Sequence, residues 1–213
     1  MDIYTWSKPS KQQDSKPIKS TIQPGITMII GSNGVGKTTY LQQIHSLFVD
    51  RSWEQISLND NIRDIYGCYF YSNEHERITA ADSWLNDLYK PDVPSLLASY
   101  YENSEGQKMM QMLQDKLSQI GSYVRKCKQE NKKGVVILFD SLDSGLSPDN
   151  INILKEQLLN FIIEEERRVD ELFEVYILCT ANSYELCGGY RCYNIKENKY
   201  KDVSTYEQFV SNF

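Results

Sequence analysis

A glycine-rich stretch, GSNGVGKTT at residues 31–39, has the residue types and spacing of a phosphate-binding loop. Its glycines let the backbone wrap tightly, so that consecutive N–H groups point at phosphate oxygens. Lys37 can reach the β and γ phosphates of a nucleotide, and the hydroxyl of Thr38 can bind Mg²⁺. An apolar segment precedes the stretch and a helical one follows it, which is the context that this motif requires. We therefore expect ATP to be bound by residues Gly31, Ser32, Asn33, Gly34, Val35, Gly36, Lys37, Thr38 and Thr39.

A second stretch supplies the other half of such a site. The run GVVILFD, at residues 134–140, is apolar until it ends in Asp140, as expected for a strand that is buried on both faces. A carboxylate in that place helps to hold Mg²⁺ beside a nucleotide, so we assign the metal site to Thr38 and Asp140. The alternative is an aspartate that only begins a turn. Ser141 follows, and a serine hydroxyl is a poor general base because it is not appreciably ionised at neutral pH.

Hydrophobic periodicity predicts the elements that must position these residues. Strands and helices alternate, which favours an α/β fold with a largely parallel central sheet flanked by helices. A proline-interrupted helical stretch at about 79–130 predicts a small helical lobe, inserted in a single domain that spans 1–213. The other predicted helices lie at 37–49, from 148 to about 167 and at 204–212; predicted strands lie at 20–31 in two parts, 64–72, 134–140 and 172–182, with a hairpin at 190–203.

Composition limits the class of protein. With 213 residues, 40% of them hydrophobic and 24% charged, the chain can form one globular domain. Its net charge of −6 argues against a strongly basic nucleic-acid coat protein. No segment resembles a transmembrane span or a signal peptide, so we expect a cytoplasmic protein that does not contact a membrane. The five cysteines predict reduced, buried thiols, and a zinc site built from Cys187, Cys192 and a distant histidine is the alternative.

Taken together, the motifs resemble those of a known family of P-loop NTPases. The stretches IQPGITMIIGSNGVGKTTYLQQI, NSEGQ at 103–107 and DSGLSPDNI at 143–151 stand in the order found in the nucleotide-binding domain of ABC-type ATPases. They are similar to the SMC-like and RecF-like branch of that family, which serves chromosome maintenance and DNA repair, and to small stand-alone ATPases of bacteria and phages. The resemblance implies an ABC-type fold with additional antiparallel strands.

The same resemblance implies a homodimer in the ATP-bound state. Proteins of this family hold ATP between two subunits arranged head to tail, and a signature segment of one subunit contacts the γ-phosphate bound by the other. Ser104, Gly106 and Gln107 match that signature, whereas Asn103 and Glu105 depart from it. The alternative is an ordinary capped helix, because Met110, Leu113, Leu117, Ile120 and Val124 follow at the spacing of a buried helix face.

Two catalytic groups of the family are absent from this chain. Ser141 replaces the glutamate that polarises the attacking water, and Ala181 and Asn182 stand where the family has a histidine. We therefore assign the catalytic positions to Lys37, Ser141 and Asn182, whose amide can bond the γ-phosphate or a water. Asp143 is the nearest substitute carboxylate, or else it is a structural or partner-facing residue. Asn73 or Glu74 would have to replace a glutamine that the family places after the aromatic strand, if that segment is not an ordinary polar loop.

Two further segments allow more than one interpretation. Tyr4 or Trp6, upstream of the phosphate loop, can stack on adenine as aromatic residues of the family do, or can pack into the core. The basic run RKCKQENKK at 125–133 can complement the dipole at the end of a helix, or can contact nucleic acid or an acidic partner.

These features favour an ATP-binding protein that dimerises head to tail around ATP, with Mg²⁺ as its cofactor and with slow hydrolysis. It would act as a switch in DNA repair, recombination or phage–host conflict, together with a protein partner, and contact with DNA stays open. A non-hydrolysing nucleotide-binding scaffold or inhibitor, which acts through protein contacts, is the alternative. A transport-type ABC subunit is disfavoured by the missing histidine and the degenerate signature.

Overall fold

The computed structural model describes residues 1–5, 18–49, 62–72, 105–160, 162–163 and 172–212, without the side chains of 105–115 and 157–158. Eight strands and six helices lie within these ranges. The strands are β1 (Asp2–Thr5), β2 (Ile18–Thr21), β3 (Gly25–Ile30), β4 (Tyr66–Ser72), β5 (Gly134–Asp140), β6 (Glu174–Thr180), β7 (Arg191–Asn194) and β8 (Lys199–Lys201). The helices are α1 (Lys37–Val49), α2 (Ile62–Ile65), α3 (Glu105–Gln129), α4 (Pro148–Leu154), α5 (Tyr184–Cys187) and α6 (Tyr206–Val210).

Six of these strands form a largely parallel sheet, so the predicted α/β class is confirmed. The strand order is β4-β5-β6-β3-β7-β8, and only β8 runs antiparallel to its neighbour. Strands β1 and β2 form a separate antiparallel pair. The pair is tied to the sheet where the hydroxyl of Tyr193 donates a hydrogen bond to Ser20, at 2.9 Å.

Both faces of the sheet are covered, because side chains alternate along each strand. On one face, Val136 and Leu138 of β5 belong to a core cluster with Leu41 and Ile44 of α1. On the other face, β5 contributes to a second cluster that includes residues of α3, α4 and α6, among them Ile137, Phe139, Ile120, Val124, Ile151, Leu154 and Phe209. Every residue of β5 is buried, as its continuous apolar sequence predicts.

Most elements match their predicted positions, and the differences are local. Helix α2 occupies 62–65, so the strand expected from residue 64 begins at Tyr66. Helix α4 begins as predicted, where the side chain of Ser147 accepts a hydrogen bond from the N–H of Asn150. It then widens into a π-helical segment, Lys155–Asn160. Helix α5 was not predicted; Lys155 holds its end by donating hydrogen bonds to the carbonyls of Glu185 and Gly188, at 2.8 and 2.6 Å.

Helix α3 is one continuous helix of 25 residues. Of the predicted apolar stripe, Ile120 and Val124 are buried and Leu117 packs against them, while the side chains of Met110 and Leu113 lie outside the described part. Residues 79–104 of the expected lobe also lie outside it, so the lobe stays a prediction. Among the described helices, none is long and apolar enough to cross a membrane.

The basic run that ends α3 makes its contacts within the chain. Each of its five cations has an intramolecular partner: Arg125 with Ser122, Lys126 with Glu130, Lys128 with the ring of Phe173, Lys132 with the carbonyl of Arg63, and Lys133 with Glu174. These contacts favour the structural interpretation, in which the run fixes the end of α3 against the sheet.

The carboxylate of Glu174 is bonded to three donors at the edge of the sheet where β5 and β6 begin. One carboxylate oxygen accepts hydrogen bonds from Tyr66 and Tyr176, at 2.8 and 2.6 Å, and the other is 2.9 Å from the ammonium of Lys133. Burial alone would raise the pKa of Glu174, but the bonds from Tyr176, Lys133 and Tyr66 lower it to about 2. The network therefore favours the folded state only while Glu174 is ionised.

We predict that the stability difference between the protein and its Glu174→Gln variant depends on pH. The pKa of Glu174 is about 2 in the folded chain, below its ordinary value of 4.5. The stabilisation should be complete above about pH 5 and should fall away as the pH decreases towards about 2. Urea unfolding at about pH 7 and about pH 3 should show a larger difference at the higher pH. The free energy of unfolding of Tyr176→Phe should depend less on pH than that of the unmodified protein, because one donor to Glu174 is lost. If Glu174→Gln lowers the free energy of unfolding equally at both pH values, the low pKa of Glu174 is contradicted.

Candidate nucleotide-binding site

The phosphate-binding loop connects β3 to α1. Gly31 and Gly36 have φ angles of 142° and 100°, in the left-handed region that favours glycine. A Cβ on Gly31 would lie 2.9 Å from the side chain of Val35, so the loop has no room for a larger residue there. The N–H of Val35 donates to the carbonyl of Ser32 at 3.1 Å, which closes the turn. The first helical residue, Lys37, follows directly, so the loop lies against the positive end of α1.

Lys37 lies over this loop and is buried. Its ammonium donates hydrogen bonds to the carbonyl of Gly31, at 2.7 Å, and to that of Ser32, at 3.5 Å. Burial lowers the pKa of Lys37, and the negative charges of Asp143 and Asp140 oppose that change. The lysine is therefore held at the loop beside two carboxylates, where a phosphate would find a positive charge.

Three neighbouring strands bring oxygen atoms together at the carboxyl edge of the sheet. Asp140 ends β5 and is 1% exposed; one oxygen accepts from the hydroxyls of Thr38, at 3.1 Å, and Thr180, at 2.8 Å. The other oxygen is 3.5 Å from the hydroxyl of Ser72, which is the partner of Asp140 in the register of β4 and β5. A buried carboxylate requires such donors. The cluster places the predicted metal residues, Thr38 and Asp140, within hydrogen-bond distance of each other.

The donor set of this cluster suits Mg²⁺. Hydroxyl and carboxylate oxygens are the ligands that Mg²⁺ prefers, and Mg²⁺ is commonly held by one or two protein groups together with the phosphates of a substrate. The described residues contain no group of three or more His, Cys, Asp or Glu side chains that could hold a metal by themselves. Within those residues the zinc alternative has no ligand set, and Cys187 and Cys192 are both buried free thiols.

Ser141 adopts a left-handed backbone conformation, with a φ angle of 57°. Its N–H donates to the hydroxyl of Thr180 at 2.7 Å, and the same hydroxyl donates to Asp140. Thr180 therefore fixes both the carboxylate of Asp140 and the turn that follows it. Thr180 and Ser72 were not assigned from the sequence. They could have been found there as the hydroxyl residues that end the two strands adjacent to β5.

Asn182 is exposed, two residues beyond the end of β6, and Asp143 binds it. Oδ2 of Asp143 accepts from the N–H groups of Asn182 and Ser183, both at 2.7 Å, and Oδ1 accepts from the side-chain amide of Asn182 at 3.2 Å. Asp143 itself is 7% exposed. Two loops, one after β5 and one after β6, are thereby joined beside the phosphate-binding loop.

Several predicted residues lie wholly or partly outside the described structure. Trp6, Ser104, Asn73 and Glu74 are outside it. Gly106 and Gln107 are in the first turn of α3, although the side chain of Gln107 is not described. These assignments stay predictions.

Comparison with known proteins gave one structural similarity. No protein-family model matches the sequence, and no curated protein matches it. The structure is similar to a crystal structure of a nucleotide-free ATP-binding cassette from an ABC transporter, with 15% sequence identity and a TM-score of 0.48. The match covers 100% of this chain and 95% of that chain. A similarity this distant assigns no function to the chain.

We predict that Thr180→Val weakens Mg²⁺-dependent ATP binding about tenfold, because the carboxylate of Asp140 loses a hydrogen bond that contributes about 1.5 kcal/mol. The dissociation constant of a fluorescent ATP analogue, measured with Mg²⁺ and with a chelator, gives the size of this loss. Thr180→Ser keeps the hydroxyl and should bind the analogue as tightly as the unmodified protein.

Thr27→Val is the matched control for Thr180→Val. Thr27 is buried in β3, and its hydroxyl has no hydrogen-bond partner among the described residues. The control should therefore leave the Mg²⁺ dependence unchanged. Equal losses in the two variants would show that Thr180 acts only through packing.

Proposed function

We propose that this chain is an ATP-binding protein of the ABC type, which dimerises head to tail around ATP and hydrolyses it slowly. The observation that carries the proposal is the hydrogen bond between Thr38 and Asp140, at 3.1 Å, beside a loop that is closed by Lys37. These residues come from separate parts of the chain, and their proximity supports a site for a nucleotide phosphate and Mg²⁺.

Each part of the site has a separate task in this proposal. The N–H groups of residues 31–38 and the ammonium of Lys37 bind the phosphates, and Thr38 and Asp140 hold Mg²⁺. Bound there, Mg²⁺ neutralises charge that develops on the phosphates. Thr180 keeps the carboxylate of Asp140 oriented. Ser141 supplies no base, which supports slow cleavage, since general-base assistance contributes about 100- to 10,000-fold to such reactions.

The start of α3 supports the proposed dimer. Gly106 and Gln107 are in its first turn, where the N–H groups at the end of a helix favour a phosphate. In the head-to-tail arrangement, that end would face the γ-phosphate of the second subunit. The proposal includes a protein partner that responds to the dimer, a cytoplasmic location without membrane contact, and a role in DNA repair, recombination or phage–host conflict. Contact with DNA is left open.

A non-hydrolysing scaffold or inhibitor is the second candidate. Ser141 favours it, because the residue after Asp140 has no carboxylate, and ATP binding alone would then control a protein contact. The two candidates share the binding site and differ in whether phosphate is released.

The proposal predicts a nucleotide-dependent change in size. Light scattering after size-exclusion chromatography, with ADP, ATP or a non-hydrolysable ATP analogue, should show a dimer with ATP and with the analogue. Phosphate release from the same sample should be slower than about 1 per second. Lys37→Ala should remove both the dimer and the release of phosphate.

Each part of this prediction can fail separately. A monomer in every nucleotide state would contradict the sandwich, and turnover above about 1 per second that Lys37→Ala abolishes would contradict slow hydrolysis. An ATP-dependent dimer that releases no phosphate would favour the scaffold.

A further inference from the structure

The carboxylate of Asp143 joins the loop after β5 to the loop after β6. It accepts hydrogen bonds from the N–H groups of Asn182 and Ser183 and from the side-chain amide of Asn182, at 2.7, 2.7 and 3.2 Å. Three protein donors therefore occupy most of its acceptor capacity. Asp143 is thus poorly placed to take a proton from water itself, and its contacts fix the position of Asn182.

This contact also determines how the amide of Asn182 is turned. A carboxylate only accepts hydrogen bonds, so the end of the amide that faces Asp143 must be its NH₂ group. The carbonyl oxygen of Asn182 then points away from Asp143, and the residue is exposed. An exposed amide with a fixed orientation can accept a hydrogen bond from a water molecule at a defined point.

The Asp143–Asn182 pair lies beside the phosphate-binding loop. The N–H of Ala181 donates to the carbonyl of Ile29 at 3.1 Å, which anchors Asn182 next to the strand that leads into Gly31. Asp143 also lies three residues after Asp140, whose carboxylate accepts a hydrogen bond from Thr38 at the start of α1. The pair therefore lies at the same edge of the sheet as the phosphate-binding loop and Lys37.

We propose that Asp143 is a positioning residue for ATP hydrolysis: it holds the amide of Asn182 so that its carbonyl oxygen orients the attacking water. This inference rests on the proposed function. In the reaction, the water oxygen forms a bond to the γ-phosphorus, and the bond from that phosphorus to the bridging oxygen breaks, its electron pair leaving with ADP. The proton released by the water passes to an oxygen of the γ-phosphoryl group. The products are ADP and phosphate, and no protein group has to act as a base.

Substitutions at Asp143 and Asn182 should slow the cleavage of ATP without weakening its binding. Asp143→Asn replaces one of the two acceptor oxygens with an NH₂ group, which cannot accept from the NH₂ end of the Asn182 amide. Asn182→Ala removes the amide. Each should slow a single turnover about 100-fold, as misplacement of a reacting group by about 1 Å does. The dissociation constant for ATP should stay within about threefold, because neither residue belongs to the phosphate-binding loop. The double variant should be no slower than the slower single variant, since the two residues act as one unit.

Asp149→Asn is the matched control, because it makes the same change on an exposed residue of α4 in the same stretch. It should bind and cleave ATP like the unmodified protein. A readout independent of activity is the hydrogen exchange of the backbone N–H groups of Asn182 and Ser183, followed by NMR. Both should be protected in the unmodified protein and should exchange faster in Asp143→Asn, because the neutral amide oxygen is a weaker acceptor than the carboxylate. The N–H of Ser183 should remain protected in Asn182→Ala.

Each outcome decides between the inference and the function on which it rests. If the unmodified protein does not bind ATP, the proposed function fails. If it binds and cleaves ATP, and Asp143→Asn cleaves at the same rate, only the inference fails. Additive losses in the double variant would show that the two residues act independently, which would also overturn the inference. ATP binding without any cleavage would overturn it as well, because there would be no water to position.

Discussion

The carboxylate of Asp140 is the point on which the site depends. It is almost fully buried, so its charge has to be balanced by donors from the surrounding chain. Those donors come from Thr38 at the start of α1, Thr180 at the end of β6 and, at longer range, Ser72 at the end of β4. The requirement connects the proposed metal site to the sheet, because the hydroxyls of Ser72 and Thr180 reach Asp140 only if the three parallel strands end in register.

Thr180 shows how one side chain can serve both the fold and the site. Its hydroxyl donates to Asp140 and accepts from the N–H of Ser141, so the strand edge and the following turn share one hydrogen-bond chain. The left-handed conformation of Ser141 is held by this contact. The turn then directs Asp143 towards the loop after β6, which gives the two loops a common anchor.

Local sequence patterns were sufficient to predict the parts of the structure that are determined locally. Strand β5 was predictable because a short continuous apolar run is typical of a strand buried on both faces. The turn between β3 and α1 was predictable because its glycines are closely spaced between a strand pattern and a helix pattern. The partners of Asp143 were not predictable, since they lie 39 and 40 residues away in sequence and depend on the strand order. Helix α5 was missed for a similar reason: it has only four residues and is held by the distant Lys155.

The most direct test of the account is a crystal structure of the protein with Mg²⁺ and a non-hydrolysable ATP analogue. The phosphates should contact the N–H groups of residues 31–38, and Mg²⁺ should lie about 2.1 Å from the hydroxyl of Thr38, on the side of Asp140. The ammonium of Lys37 should then contact the phosphates. A nucleotide bound elsewhere, or Mg²⁺ held without Thr38 and Asp140, would contradict the account.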